Sequence, residues 1–197
     1  TFIKAVLKNN FISAIHNRSY KAKSIYLLTK MGFGNIFIDR ELKVFETSQN
    51  LDGGWGEKRG DSSKVFTSVL IFQCLRENRM WKNKETTQKV ESYLIKNHLS
   101  KNETKADQDK WSRIHSGYKP NNMFEGGSLM FLESMLVSPS DKNKNKVKAI
   151  INWLKDLQMD SGLFPYHADL RKQENLISTI RVLACMKKKY LQNNLIS

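Results

Sequence analysis

Apolar residues recur along this chain at helical spacing. Between Lys21 and Met31 they fall at Ile25 and Leu28, and Gly32 supplies a stop. Asp39 is placed to cap a following helix in which Leu42 and Phe45 recur. Ser62 and Ser63 then precede VFTSVLIFQCL, residues 65–75, which is apolar on almost every side and predicts a buried helix. ETTQKVESYLIKNHL differs, with Val90 and Leu94 on one face and polar groups on the other. GGSLMFLESMLV is again apolar around most of its surface. VKAIINWLKDLQ sets Val147, Ile150, Ile151, Leu154 and Gln158 at amphipathic spacing, and an apolar LISTIRVLACM runs into a basic tail. Strand periodicity is almost absent. The pattern predicts an all-α chain with apolar inner helices and amphipathic outer ones.

Two of the joints between these helices match. QNLDGGWGE (49–57) sets Gly53 and Trp55 four and six residues after Gln49; QMDSGLFPY (158–166) sets Gly162 and Phe164 at the same offsets from Gln158. Beyond each joint an apolar helix follows, and aligning VFTSVLIFQCL with LISTIRVLACM brings Cys74 onto Cys185. MFEGGSLMFLESM reads as a third, degenerate unit that keeps an aromatic residue, two glycines and the inner helix. Asp52, Gly53 and Gly54 suit a tight reversal, because glycine takes positive φ without steric cost. The Gln49 amide is placed to satisfy orphan backbone groups at the start of the next helix. Gln49, Asp52, Gly53, Gly54 and Trp55, with Gln158, Gly162 and Phe164, are therefore read as a structural motif. Residues 100–122 are polar and broken by glycine and proline, which predicts a long internal loop within one domain spanning 1–197.

QNLDGGWGE resembles the QW motif of squalene-hopene cyclases, within the terpenoid-cyclase and protein-prenyltransferase superfamily of α/α toroids. The resemblance is tight over residues 42–75 and looser over 124–186; elsewhere it rests on helix order. It implies inner and outer helices paired around an apolar central cavity, with QW turns between an outer helix and the next inner one. For this chain it implies about four helix pairs, fewer than a full ring of this superfamily usually has. The toroid is thus expected to be small, incomplete, or finished by sequence outside this chain.

The resemblance also supplies tests of chemistry. Squalene-hopene-type cyclases protonate an alkene through an acidic DxDD motif, which needs a carboxylic acid kept neutral by its surroundings. The nearest segment here is Asp107-Gln108-Asp109-Lys110, whose lysine favours ionised carboxylates and opposes proton donation. Protein prenyltransferases hold zinc through an aspartate and a cysteine two residues apart plus a histidine, and no Asp-x-Cys occurs. The Cys-His-Gly segment of lanthipeptide cyclases and the thioester motif of complement-like toroids are missing as well. His16, His98, His115 and His167 are isolated and read as surface or hydrogen-bonded residues, so no metal and no cofactor is expected. The remaining candidate is convergence of turns at a cavity mouth. Trp55, Glu57 and Asp61 would come from the first turn, and Phe164, Tyr166, His167 and Asp169 from the second. Capping and turn packing is the competing reading of the same residues, as it is for His115 and Tyr118. Catalytic residues are not assigned.

Composition narrows the partners. At 197 residues, 40% hydrophobic and 26% charged, the chain suits a globular fold with a real core. No apolar run approaches the roughly 20 residues of a membrane helix. Two separated cysteines in apolar segments read as buried thiols, and a cytoplasmic location is expected. Net charge is +14, yet the lysines are scattered and no nucleic-acid-binding signature accompanies them, so nucleic acid is disfavoured. Three functional readings stand: a toroid binding an apolar or prenyl-like small molecule without the standard acid and zinc site; a non-catalytic helical scaffold holding an anionic partner; and a polysaccharide-processing α/α barrel, since DGGW turns occur there too.

Overall fold

The structure, a computed structural model, describes residues 15–33, 36–97, 128–136, 143–165 and 176–194. Those residues form seven helices and no β-strand, so the chain is all-α there. In order they are α1 (Arg18–Lys30), α2 (Ile36–Thr47), α3 (Val65–Glu77), α4 (Glu85–Asn97), α5 (Ser128–Leu136), α6 (Lys144–Asp156) and α7 (Leu176–Asn194). None of them is long and apolar enough to cross a membrane. The chain divides into two compact units, 1–98 and 99–197. The polar segment 100–122 and the two glycines of the third repeat lie outside the described residues.

In the first unit α3 is the centre. Every residue from Val65 to Arg76 is buried, and α1 and α4 pack against it. The Ser19 hydroxyl of α1 donates to Thr67 Oγ1 of α3 at 3.1 Å. α1 starts where the Asn17 side chain accepts from the Tyr20 amide at 3.1 Å, and it stops as expected at Gly32, whose φ is +81°. α4 buries Val90, Tyr93 and Leu94 and turns its lysines outward. In α2 the side chains of Ile38, Leu42 and Phe45 are buried at i, i+4 and i+7. That stripe begins before Asp39, which corrects the expected cap. Asp39 lies inside the first turn of α2, where its charge complements the positive helix end, and its carboxylate accepts from Trp81 Nε1 at 3.3 Å.

In the second unit α5 packs against both α6 and α7. α5 buries Leu129, Phe131, Leu132, Met135 and Leu136; α6 buries Ile150, Ile151 and Leu154. α7 departs from the expectation of an enclosed inner helix. Ser178, Thr179, Val182 and Cys185 are buried, but Leu176, Ile180 and Leu183 are 66%, 56% and 59% exposed. Of the two helices paired by the repeat, only α3 is covered all round.

Candidate functional site

The first turn leaves α2 at Thr47 and enters α3 at Val65. Its backbone closes on itself: the Asn50 amide donates to Gly54 O at 3.0 Å and the Gly53 amide to Asn50 O at 2.9 Å. Gly53 has φ +88°, which an L side chain tolerates poorly. Asp52 Oδ1 accepts from the Gly54 amide at 2.9 Å and from the Ser63 hydroxyl at 2.6 Å. Gln49 Nε2 donates to Gly53 O at 2.8 Å and to Thr86 O at 3.0 Å, in the first turn of α4. Its partners are thus carbonyls of its own turn and of α4, where orphan backbone groups at the start of the next helix, α3, were expected. The amide NH2 is a donor and reaches what accepts. Trp55 is fully buried; its amide donates to Ser68 Oγ and its indole Nε1 to Phe45 O, each at 2.9 Å. One residue therefore ties the turn to α3 and α2 together.

An arginine that sequence patterning did not single out clamps the far side of this loop. Arg18 is buried; its Nη1 donates to Lys58 O at 3.0 Å and to Gly56 O at 3.4 Å, and its Nη2 to Ser48 O at 3.5 Å. Its own amide donates to Glu57 O at 3.0 Å. Burial pulls the guanidinium below its usual range, with Asp61 acting against that and Arg59 with it. The one sequence cue is its place next to the Asn17 cap.

The second turn repeats the first in its backbone. Met159 N donates to Leu163 O at 2.9 Å and Gly162 N to Met159 O at 2.8 Å, with φ +81° at Gly162. Gln158 Nε2 donates to Gly162 O at 3.0 Å, and the Phe164 amide to Thr179 Oγ1 at 2.9 Å. Ser161 stands where Asp52 stood, accepting from the Leu163 amide at 3.4 Å. Phe164 is buried, like Trp55. The hydroxyl pairings align Ser68 with Thr179, which is the register that places Cys74 on Cys185; both thiols are buried.

Of the convergence candidates, Trp55 and Phe164 lie in the packed interior of their units. Glu57 is half-buried, accepting from Asn17 Nδ2 at 3.2 Å and facing Lys64 Nζ at 3.8 Å. Asp61 is exposed, and its carboxylate accepts from the Lys58 amide at 3.0 Å. Tyr166, His167 and Asp169 lie outside the described residues, as do Asp107, Asp109, His98, His115 and Tyr118. His16 is exposed. Among the described residues no group of three or more His, Cys, Asp or Glu side chains is placed to hold a metal ion. Burial pushes the thiol of Cys74 up from its ordinary range, and Glu77 acts in the same direction. Comparison with protein-family models, curated proteins and solved structures finds no match to this chain.

Proposed function

We propose that this chain is an α/α-repeat protein of the terpenoid-cyclase and prenyltransferase type, and that it acts as a helical scaffold for an anionic protein partner. The observation that carries this reading is the enclosure of α3 from Val65 to Arg76. A helix lining a ligand cavity keeps one apolar face for the ligand. In the first unit that surface is used in packing against α1 and α4. The polar groups of the first turn are likewise engaged in holding it together, with the Gln49 amide and Trp55 indole both hydrogen-bonded to backbone carbonyls. The +14 charge supports an acidic partner, since it raises encounter rates with negative surfaces.

A second reading, an apolar or prenyl-like ligand, keeps one observation in its favour: the exposed Leu176, Ile180 and Leu183. Thermal unfolding of the chain with farnesyl and squalene analogues separates the two. A ligand at about 100 times its Kd adds about 2.7 kcal/mol, a shift of several degrees. The scaffold reading expects no shift with or without EDTA, and no effect of Asp107→Asn or Asp109→Asn on any turnover. A shift that Ile180→Lys abolishes would overturn it in favour of the ligand.

A further inference from the structure

The hydroxyl pairings set one register between the inner helices. With Ser68 on Thr179, the residues Val65, Val69, Phe72 and Arg76 of α3 fall on Leu176, Ile180, Leu183 and Lys187 of α7. Each set is spaced i, i+4, i+7 and i+11, so each forms one face of its helix. All four residues on α3 are buried. All four on α7 are exposed.

Two helices, α1 and α4, pack against α3. Thr67, which receives the Ser19 hydroxyl of α1, lies about half a turn round the helix from Val69 and Arg76. α1 therefore takes the Thr67 side of α3, and α4 is the second helix packed against α3. Consistent with this, buried Glu91 of α4 acts on Arg76, offsetting the burial that lowers the guanidinium from its usual range. On α4 the apolar residues Val90 and Leu94 are also buried, at i and i+4, with Glu91 between them. Lys187 occupies the place of Arg76 and keeps its positive charge.

We propose, on the scaffold reading above, that the stripe Leu176, Ile180, Leu183 and Lys187 binds an acidic amphipathic helix of a partner protein, seated on α7 as α4 is seated on α3. Two aliphatic side chains at i and i+4 cover Ile180 and Leu183, and a carboxylate at i+1 meets Lys187. A second copy of this chain is the poorer occupant, because 33 Lys and Arg stand against 19 Asp and Glu and two copies repel. A helix with net negative charge is drawn to the same face.

The α4 segment, whose two Glu and two Lys leave it neutral, becomes the probe once Lys89→Glu and Lys96→Glu make it acidic. A fluorescein-labelled peptide of residues 85–97 with both changes, cross-linked on its polar face to keep it helical in isolation, is titrated with the full chain. Saturable binding is expected, weakened about tenfold or more by Ile180→Lys, which places a charge in the apolar stripe. Lys187→Glu weakens it as well, and a peptide carrying Glu91→Lys recovers binding to that variant. Ile180 and Lys187 are exposed, so both variants keep the wild-type circular dichroism and melting temperature. Equal binding to wild type and Ile180→Lys overturns the proposal, as does the lack of saturation at about 1 mM chain. A dimer in sedimentation that Ile180→Lys dissociates overturns it by giving the stripe to a second copy. Displacement of the peptide by a farnesyl analogue that also raises the melting temperature overturns the scaffold reading itself, a result distinct from the others.

Discussion

The turn at Gln49 and the turn at Gln158 have the same backbone but different surroundings. Each closes with the same pair of main-chain bonds, a glycine at positive φ and a glutamine amide on the carbonyl of that glycine. The first goes further, with Gln49 reaching Thr86 O and the Trp55 indole reaching Phe45 O. In the second, Phe164 has no donor on its ring. The shared part is local and follows from glycine, glutamine and a helix hydroxyl. What distinguishes the first turn is tertiary: it joins α2, α3 and α4 at one point. A turn can thus keep its shape after losing the long-range bonds that make it a joint.

Truncating the aromatic residues gives the largest expected losses. Trp55→Ala removes a fully buried indole and takes its donor from Phe45 O, which keeps the Ser48 amide at 3.2 Å, for about 3–5 kcal/mol. Phe164→Ala loses packing alone, about 3 kcal/mol, and Trp55→Phe, which copies the second turn into the first, costs about 1–3 kcal/mol. Native-state hydrogen exchange reads the amides of α3 and α7 separately and assigns each loss to its unit. If the Trp55 and Phe164 truncations cost the same, the joint and the bare turn would be equivalent.

The glycines sharpen the comparison, because their backbone conformations agree and only their neighbours differ. A Cβ on Gly53 would lie 2.7 Å from Lys89 O, a main-chain atom of α4. Gly53→Ala must therefore bear both the left-handed strain and a displaced helix, about 2–5 kcal/mol together. At Gly162 the nearest atom to such a Cβ is Gln158 Nε2 at 4.0 Å, so Gly162→Ala bears the strain alone, about 1–2 kcal/mol. Urea midpoints of the two variants, followed by the exchange protection of α3 and α7, test the ranking. A Gly162→Ala loss equal to that of Gly53→Ala would mean that backbone strain, and not contact with α4, sets both.

These differences mark what could be read from the chain before folding. Helix content was legible because apolar residues recur at a short fixed period, and α3 was legible as buried because its apolar residues leave no polar face. The paired turns were legible because glycine and the aromatic residue act within a few positions of each other. Arg18 was not, since its three carbonyl partners lie at residues 48, 56 and 58 and no local pattern announces them. The exposure of Leu176, Ile180 and Leu183 was not legible either, because burial of a helix face depends on which other helix reaches it. Asp39 shows the same limit on a small scale: a cap and a first-turn acid look alike until Ile38 fixes where the apolar stripe begins. For the candidate site, the structural side of the motif had local signals, whereas any convergence with Tyr166, His167 and Asp169 falls outside the described residues.

The glutamines give the smallest effect and the most direct test of the joint. Gln49 Nε2 makes two bonds, one of them to a residue 37 positions away, and Gln49→Ala leaves both acceptors short of a donor. A loss of about 1–3 kcal/mol is expected, concentrated in the exchange of α4 and not of the turn. Gln158 is exposed and, among the described residues, its side chain makes one bond, to a carbonyl within its own turn, which water can replace. Gln158→Ala should therefore stay within about 0.5 kcal/mol of wild type. Gln49→Glu separates shape from donation: the side chain keeps nearly its length, yet a carboxylate faces two carbonyl oxygens and can donate to neither. That variant should lose at least as much stability as Gln49→Ala at neutral pH. If Gln49→Glu instead matched wild type, the bond to Thr86 O would contribute nothing, and what sets the first turn apart would reduce to the Trp55 indole bond and the approach of Gly53 to α4.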